Sequence, residues 1–286
     1  MPVALVTTAA ARELDEDYAP LARAFEALGH AVEAPGWDDR GIAWGRFEVV
    51  LLRSTWNYTE DLPAFLDWAG AVSAQTRLYN PVATLRWSTD KRYLLELERA
   101  GVPIVPSRIT AKGEAWVAPE AAEFVIKPSV GAGARGARRF ARAEAAAARE
   151  HVARLHAAGY QVLTQPYLTS VDDYGESALM VFDGEFSHAV RKGPLLARGA
   201  GDVQGLFAKE TIDPRVPGAD ERDVAARAVA TIPGGPPLYA RVDLIRDDRG
   251  TPCVLELELA EPSLYFEHAP GSAERLARRV LARLDA

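Results

Sequence analysis

Residues 3–7 form a short apolar run of buried-strand character, and Tyr18, Leu21, Phe25 and Leu28 then recur at helical spacing up to Gly29, a natural helix stop. Residues 31–34 and 48–53 read as two further strands, and Leu62, Phe65, Leu66 and Ala69 give the next helix its core face. Strand alternating with helix predicts a small parallel-sheet layer over the first ~80 residues. Tyr79-Asn80-Pro81 interrupts it. A helix is then expected from Trp87 to Ala100, capped by Ser88 or Thr89 and closed by Gly101. Lys91 falls in its first turn, where the helix dipole disfavours a cation, so a nearby anion would account for it.

Residues 102–106 read as an edge-like strand and 124–127 as a strand ending at Pro128. The alanine-rich stretch 142–158 reads as a solvent-facing connector helix stopped by Gly159, with a strand at 161–165. Residues 178–182 and 185–191 alternate around Asp183-Gly184, the signature of a type I′ hairpin. Residues 195–205 have the composition of a mobile loop that closes over a nucleotide. A helix at 220–232, a second hairpin at 238–258 and an amphipathic helix at 272–284 complete the chain, which shows no internal repeat.

At 286 residues the chain has room for two or three domains. Its 48% hydrophobic and 26% charged residues are ordinary for a folded protein, and a net charge of -7 argues against general nucleic-acid binding. Cys253, the single cysteine, lies in an apolar run and reads as a buried small hydrophobe, which excludes an internal disulfide. The N-terminus lacks the basic segment of a signal peptide, and no run reaches the ~18 apolar residues of a membrane span. Cytoplasmic location and no membrane association are the expectations.

The stretch around Lys127 carries the first chemistry. A strand ends at Lys127-Pro128, and glycines at 131, 133 and 136 precede Arg138-Arg139. Glycine lets backbone N–H groups turn toward an anion, and a lysine at the mouth adds a charge for phosphate. Gly131 to Gly136 also spells GxGxxG, so an NAD(P) site of an oxidoreductase, an ATP site and a plain surface turn all remain open on the motif alone. A dinucleotide loop should open a helix directly; Arg138-Arg139-Phe140 reads instead as a second strand.

In the second hairpin, a two-residue turn at Asp248-Arg249 would put Asp243 opposite Val254 and Arg241 opposite Glu256. Arg241, Asp243, Glu256 and Glu258 would then share a face, because side chains alternate along strands. Three carboxylates on one face repel unless a cation intervenes, and magnesium takes such oxygens together with phosphates. A wet polar sheet face is the competing reading. Arg53-Ser54-Thr55-Trp56-Asn57-Tyr58 follows a strand, where ligands of open α/β sheets sit; packing of the aromatics with Arg53 in an ion pair fits equally. Asp15, Glu16 and Asp17 could touch substrate from the first loop, but a solvated helix start fits them better. The histidines have no metal-ligand spacing, and His188 reads as a structural hydrogen-bonding residue.

Lys91, Lys127 with its glycine loop, Gln165-Pro166-Tyr167-Leu168, Glu176, Arg191, and Asp243 with Glu256-Leu257-Glu258 occur in the order of the ATP-grasp superfamily of carboxylate–amine ligases, which this chain resembles over residues 90–262. The resemblance implies an ATP-grasp fold of class α/β (α+β), with an N-terminal parallel-sheet substrate domain at 1–85, a central subdomain with the glycine-rich loop at 86–165 and a C-terminal subdomain with the metal-binding hairpin at 166–286. It implies that Lys91, Lys127 and a loop containing Gly131, Gly133 and Gly136 hold the phosphates of ATP, Gln165, Tyr167 and Leu168 the adenine, and Glu176 the ribose. Asp243, Glu256 and Glu258 would bind two Mg2+ ions, with Mn2+ able to substitute; many members carry asparagine where Glu258 stands. Arg191 and Arg241 would face the transferred phosphoryl group.

The segments at 53–58, 87–91, 186–192 and 256–258 are more closely similar to the subgroup containing the cyclo-ligase that makes cycloserine from an O-ureidoserine, itself similar to glutathione-synthetase-like ligases. That implies a small amino-acid-like substrate met by Arg53, Ser54, Thr55 and Trp56, with Gln204 on a covering segment at 202–205. The implied reaction activates a carboxylate as an acyl phosphate for an amine-type nucleophile, or closes a ring, with ADP and phosphate released. Homodimers are common in the superfamily, although no dimer surface shows in the chain. A nonenzymatic Mg-ATP-binding module is the alternative.

Overall fold

The computed structural model describes residues 1–196 and 211–285. Strand β1 (Val3–Val6), helix α1 (Tyr18–Ala27), strands β2 (Val32–Glu33) and β3 (Val49–Leu52), helix α2 (Leu62–Ser73) and strand β4 (Arg77–Tyr79) build a parallel sheet ordered β2-β1-β3-β4. Strands β1 and β3 are unbroken apolar runs because both faces are covered. Val3, Leu5, Val49 and Leu51 face one core, and Ala4, Val6, Val50 and Leu52 face another.

Two short helices stand where one was expected. Helix α3 (Val82–Ser88) ends before Lys91, and α4 (Tyr93–Arg99) begins after it, so Lys91 lies in the intervening turn. The Arg92 N–H is taken by Asp90 Oδ1 at 3.0 Å, and the Lys91 N–H donates to Ser129 O at 2.8 Å. Neither donor is spent on a continuing helix. Residues 102–106 form no strand either. Pro103 and Pro106 lack N–H groups, and the segment makes a single bridge, Ile104 to Val254.

Strands β5 (Arg108–Thr110), β6 (Glu123–Pro128), β7 (Arg138–Ala141) and, after helix α5 (Ala145–Ala157), β8 (Val162–Pro166) form an antiparallel sheet ordered β5-β8-β6-β7. Helix α5 is not merely a solvated connector. Ala148, Val152 and Leu155 bury against Phe124, Ile126 and Phe140.

A one-turn helix α6 (Ser170–Asp173) leads to strands β9 (Glu176–Phe182), β10 (Glu185–Lys192) and β11 (Ile212–Arg215), helix α7 (Ala219–Ala230), and strands β12 (Tyr239–Arg246) and β13 (Pro252–Glu258). Their antiparallel sheet is ordered β11-β10-β9-β12-β13. One face carries Leu179, Val181, Val242 and Leu244 against α4 and α7. The other carries Ala178, Met180, Phe182 and Tyr239 into the core shared with β1, β3, α1 and the last helix, α8 (Ser272–Leu284). The predicted Asp183-Gly184 turn is present, with φ of 56° and 80°.

The junction of first and third sheets is polar and satisfied. Asn80 is fully buried; its Nδ2 donates to Tyr239 O and Leu259 O at 2.8 and 2.7 Å, and its Oδ1 accepts from the Leu238 N–H at 2.8 Å. Tyr239 Oη lies 3.1 Å from the carbonyl oxygens of Leu52, Tyr79 and Ala260. Such a junction fixes one docking of the two layers, because any other arrangement would orphan these buried groups.

Candidate active site

The expected segments converge on a cavity of about 390 Å³ between the three sheets. Its roof is the glycine-rich loop, which joins β6 to the antiparallel β7. A dinucleotide fingerprint would join a strand to a helix, so the NAD(P) reading fails on topology. Gly133 and Gly136 adopt φ of 63° and 71°, a region costly for other residues. At Gly131 a Cβ would stand 3.1 Å from Pro128 Cγ. Gly131 and Gly133 line the cavity, whereas Gly136 turns its carbonyl toward His151 Nε2, 2.9 Å away.

Two hairpins supply the floor. In the second, Asp247 N–H bonds to Thr251 O and Gly250 N–H to Asp247 O, leaving a three-residue loop with Gly250 at φ 79°. This shifts the register by one from a two-residue turn. A bulge at Leu255 shifts it again, so that Asp243 faces Glu256 and Arg241 faces Glu258. The expected partners were wrong by two residues, but two one-residue shifts preserve the side-chain face. Arg241, Asp243, Glu256 and Glu258 all line the cavity.

The first hairpin carries only one such shift, with the opposite result. Counting from Asp183-Gly184 would put Arg191 opposite Glu176, but a bulge at Ser187 puts Lys192 there. Lys192 Nζ reaches Glu176 Oε1 at 2.5 Å and Asp243 Oδ2 at 3.2 Å. The Arg191 side chain bonds the carbonyls of Tyr174 and Asp173, both at 3.0 Å, outside the cavity. Lys192 is therefore the cavity cation that the sequence reading missed.

Charges pair across elements. Lys91 Nζ lies 3.0 Å from Glu256 Oε1 and 2.7 Å from Gly131 O, and Lys127 Nζ lies 3.7 Å from Glu256 Oε2. Arg241 grips Asp243 through Nε and Nη2, both at 2.8 Å, and reaches Glu258 Oε1 at 2.5 Å. Burial opposes the charge of Asp243, yet Arg241 and Lys192 hold it well below the usual carboxylate range. Burial likewise draws the Lys127 ammonium down against the pull of Glu256. Glu258 is different: burial, together with Asp243, Glu256 and Glu261, outweighs Arg241 and pushes its carboxyl up to about 8.

Among the described residues no three acids converge as a ready metal cluster. The donor set nevertheless suits a hard divalent ion, since Asp243, Glu256 and Glu258 present oxygen donors on one face and a cation beside Glu258 would favour the ionised carboxylate that burial and the neighbouring acids now oppose. Gln165, Tyr167 and Leu168 line the far end. Gln165 Nε2 bonds Ser107 Oγ at 2.9 Å, and Arg139 stacks 3.4 Å over the Tyr167 ring.

Of the four residues expected to meet substrate, Trp56 lines the cavity. Arg53 is buried behind it, bonded to Asp17 Oδ2 at 3.2 Å and Pro262 O at 3.1 Å, and Ser54 Oγ pairs with Thr7 Oγ1 at 2.7 Å. Thr55 is fully buried. Gln204 and the segment 202–205 lie outside the described residues. Asp15, Glu16 and Asp17 line the cavity at the start of α1; Glu16 is exposed, as a solvated helix start would be, but Asp17 is buried. Asp17 accepts the N–H groups of Leu264, Tyr265 and Phe266 at 2.5, 3.3 and 3.0 Å. The segment so held also brings Glu261, Ser263 and Tyr265 to the wall.

His188 is structural, as expected: buried, with Nε2 2.7 Å from Leu264 O. Cys253 is buried against Val105 and Ile245. Among the described residues no helix is long and apolar enough to cross a membrane.

Comparisons with known proteins agree with this geometry. Residues 3–80 match the family described as D-cycloserine synthetase DcsG, N-terminal domain. The cycloserine biosynthesis protein DcsG of Streptomyces lavendulae is 40% identical over 297 residues, covering 99% of this chain and 98% of that protein. The crystal structure of D-cycloserine synthetase DcsG superposes with a TM-score of 0.92 at 40% identity, over 99% of this chain and 100% of the other. D-alanine–D-alanine ligase from Bacillus anthracis shares the fold at a TM-score of 0.69 and 14% identity, over 99% and 97% of the two chains. The ATP-grasp ligase PsnB, solved with Mg and ADP, shares it at 0.66 and 19%, over 99% and 98%.

Proposed function

Because the chain belongs to the family of the D-cycloserine synthetases, within the ATP-grasp ligases, we propose that it uses Mg-ATP to convert the carboxylate of an amino-acid derivative into an acyl phosphate that a nitrogen nucleophile then attacks. A C–N bond forms and ADP and phosphate leave. In the ring-closing version, suggested by the relative's name, the nucleophile belongs to the same molecule, and O-ureido-D-serine is the compound we propose. The observation that supports this reading most is the meeting of Lys91, Lys127, Lys192 and Arg241 with Asp243 and Glu256 beneath the glycine-rich loop.

Lys91, Lys127 and the loop N–H groups would hold the phosphates, the segment from Gln165 to Leu168 the adenine, and Glu176 the ribose while sharing its carboxylate with Lys192. Arg241 would neutralise charge on the transferring phosphoryl group, as the resemblance implies, with Lys192 in place of the Arg191 expected beside it. Asp243, Glu256 and Glu258 would hold magnesium, two ions if all three carboxylates leave their cationic partners. Bound magnesium supplies charge neutralisation at the phosphates. Closure over the bound substrates would exclude water that hydrolyses the acyl phosphate. No protein nucleophile is required.

The test is ADP release from Mg-ATP with O-ureido-D-serine alone, then with amino acids offered singly and in pairs. Release with one compound supports ring closure, and release only with pairs supports a two-substrate ligase. No release under any condition overturns the ligase reading.

A further inference from the structure

The glycine-rich loop packs Val130 against the core of the N-terminal layer and is hydrogen-bonded to that layer through Arg135. Arg135 sends Nη1 to Glu60 Oε1 at 3.1 Å and Nη2 to Trp56 O at 2.9 Å and Thr59 Oγ1 at 2.6 Å. These partners lie in the single helical turn Trp56–Glu60, between β3 and α2, in a different sheet layer from the loop. Thr59 is buried, and Arg135 is one of the residues that line the cavity.

The receiving turn belongs to the other end of the cavity. Trp56 lines it, and its Nε1 donates to Glu261 O at 3.2 Å in the segment that follows β13. One continuous path thus runs from the loop through Arg135 and the Trp56 main chain to the wall made by Glu261 and Ser263. The loop's opposite end is held by Lys91, whose Nζ bonds Gly131 O. Lys91 also faces Glu256, so that attachment reports on the phosphate side, whereas Arg135 reports on the substrate side.

From this path, and resting on the ligase reading above, we infer that Arg135 is a positioning residue that couples closure of the glycine-rich loop over the nucleotide to occupancy of the Trp56 end of the cavity by the carboxylate substrate. A substrate that orders the turn at Trp56–Glu60 presents Arg135 with its three acceptors and so favours the closed loop. Linkage requires the reverse as well: bound nucleotide tightens the substrate by the same factor. A planar guanidinium that serves three acceptors at fixed angles suits the task, and a lysine would serve it incompletely.

The experiment titrates a nonhydrolysable ATP analogue with magnesium into the native protein and the R135A, R135K, T59V and R135A/T59V variants, with and without saturating O-ureido-D-serine. Native protein should bind the analogue about fivefold or more tightly when the second compound is present. R135A should lose that factor, the ratio of affinities with and without the second compound, whatever its affinity for the analogue alone. R135K should keep part of the factor, T59V should lower it from the other side of the contact, and the double variant should be no worse than R135A. An unchanged factor in R135A, or native protein that binds the analogue without any effect of the second compound, overturns the inference. Native protein that binds no nucleotide overturns the ligase reading first, and the inference with it. Thermal melts of each variant separate lost coupling from lost fold.

Discussion

Lys91 Nζ stands 3.0 Å from Glu256 Oε1, so a cation from the turn between α3 and α4 meets a carboxylate of β13. The same ammonium holds the Gly131 carbonyl. One side chain therefore joins the glycine-rich loop to the acidic hairpin.

Replacing Lys127 by Ala or Glu256 by Gln should lower ADP release by about 100-fold or more, as expected on removing a charge aimed at the reacting group. Circular dichroism should show the fold intact. Native rates in either variant would sink the assigned roles.

Asp17→Ala should be a stability variant. It strips a buried carboxylate from Arg53 and leaves three N–H groups of residues 264–266 without their acceptor. Unpairing a buried ion of this kind costs about 3–5 kcal/mol. Urea denaturation would read the loss directly, and a midpoint unchanged from native would refute the clamp.

Stability should also depend on pH through His188. Burial holds its imidazole below the usual 6.5, so the unfolded chain binds a proton that the folded chain refuses. Its contribution is complete above about 6.5 and is lost as pH falls toward and through the lower folded value. His188→Gln should flatten that acidic fall, measured by denaturation at a series of pH values between 5 and 8.

Glu258 should give ADP release an alkaline climb. Its carboxyl is held up to about 8, and an ionised carboxylate is the better magnesium ligand, so ADP release should rise as pH increases through that range. Glu258→Asn places a neutral oxygen donor there and should remove the climb while keeping activity within about tenfold. A climb of the same height in the variant would assign it to another group.

Much of the architecture was legible because local signals and tertiary structure agree: apolar runs for β1 and β3, helical spacing for α1, α2 and α8, and Asp-Gly for the first hairpin. Register was not legible. Turn chemistry sets pairing near the loop, but each bulge is a choice made by packing on both sheet faces, which no single strand reveals. The bulge at Ser187 brings Lys192 rather than Arg191 into the cavity, while in the other hairpin the bulge at Leu255 and the longer turn offset each other and keep the acids aligned. Arg53 had the right position in the chain for a ligand-binding residue. Its burial depends on Asp17 and on residue 262, far away in sequence, and only the folded chain brings them together.

Helix α8 supplies Leu276, Ala277 and Val280 to the core built on Val3, Leu5, Leu21 and Phe25. The β1–β3 layer thus lacks part of its interior until the 13-residue helix α8, far along the chain, has been added. Until then its strands keep part of one apolar face uncovered. A chain cut short before α8 would hold every proposed ATP ligand but leave the β1–β3 layer open on that face.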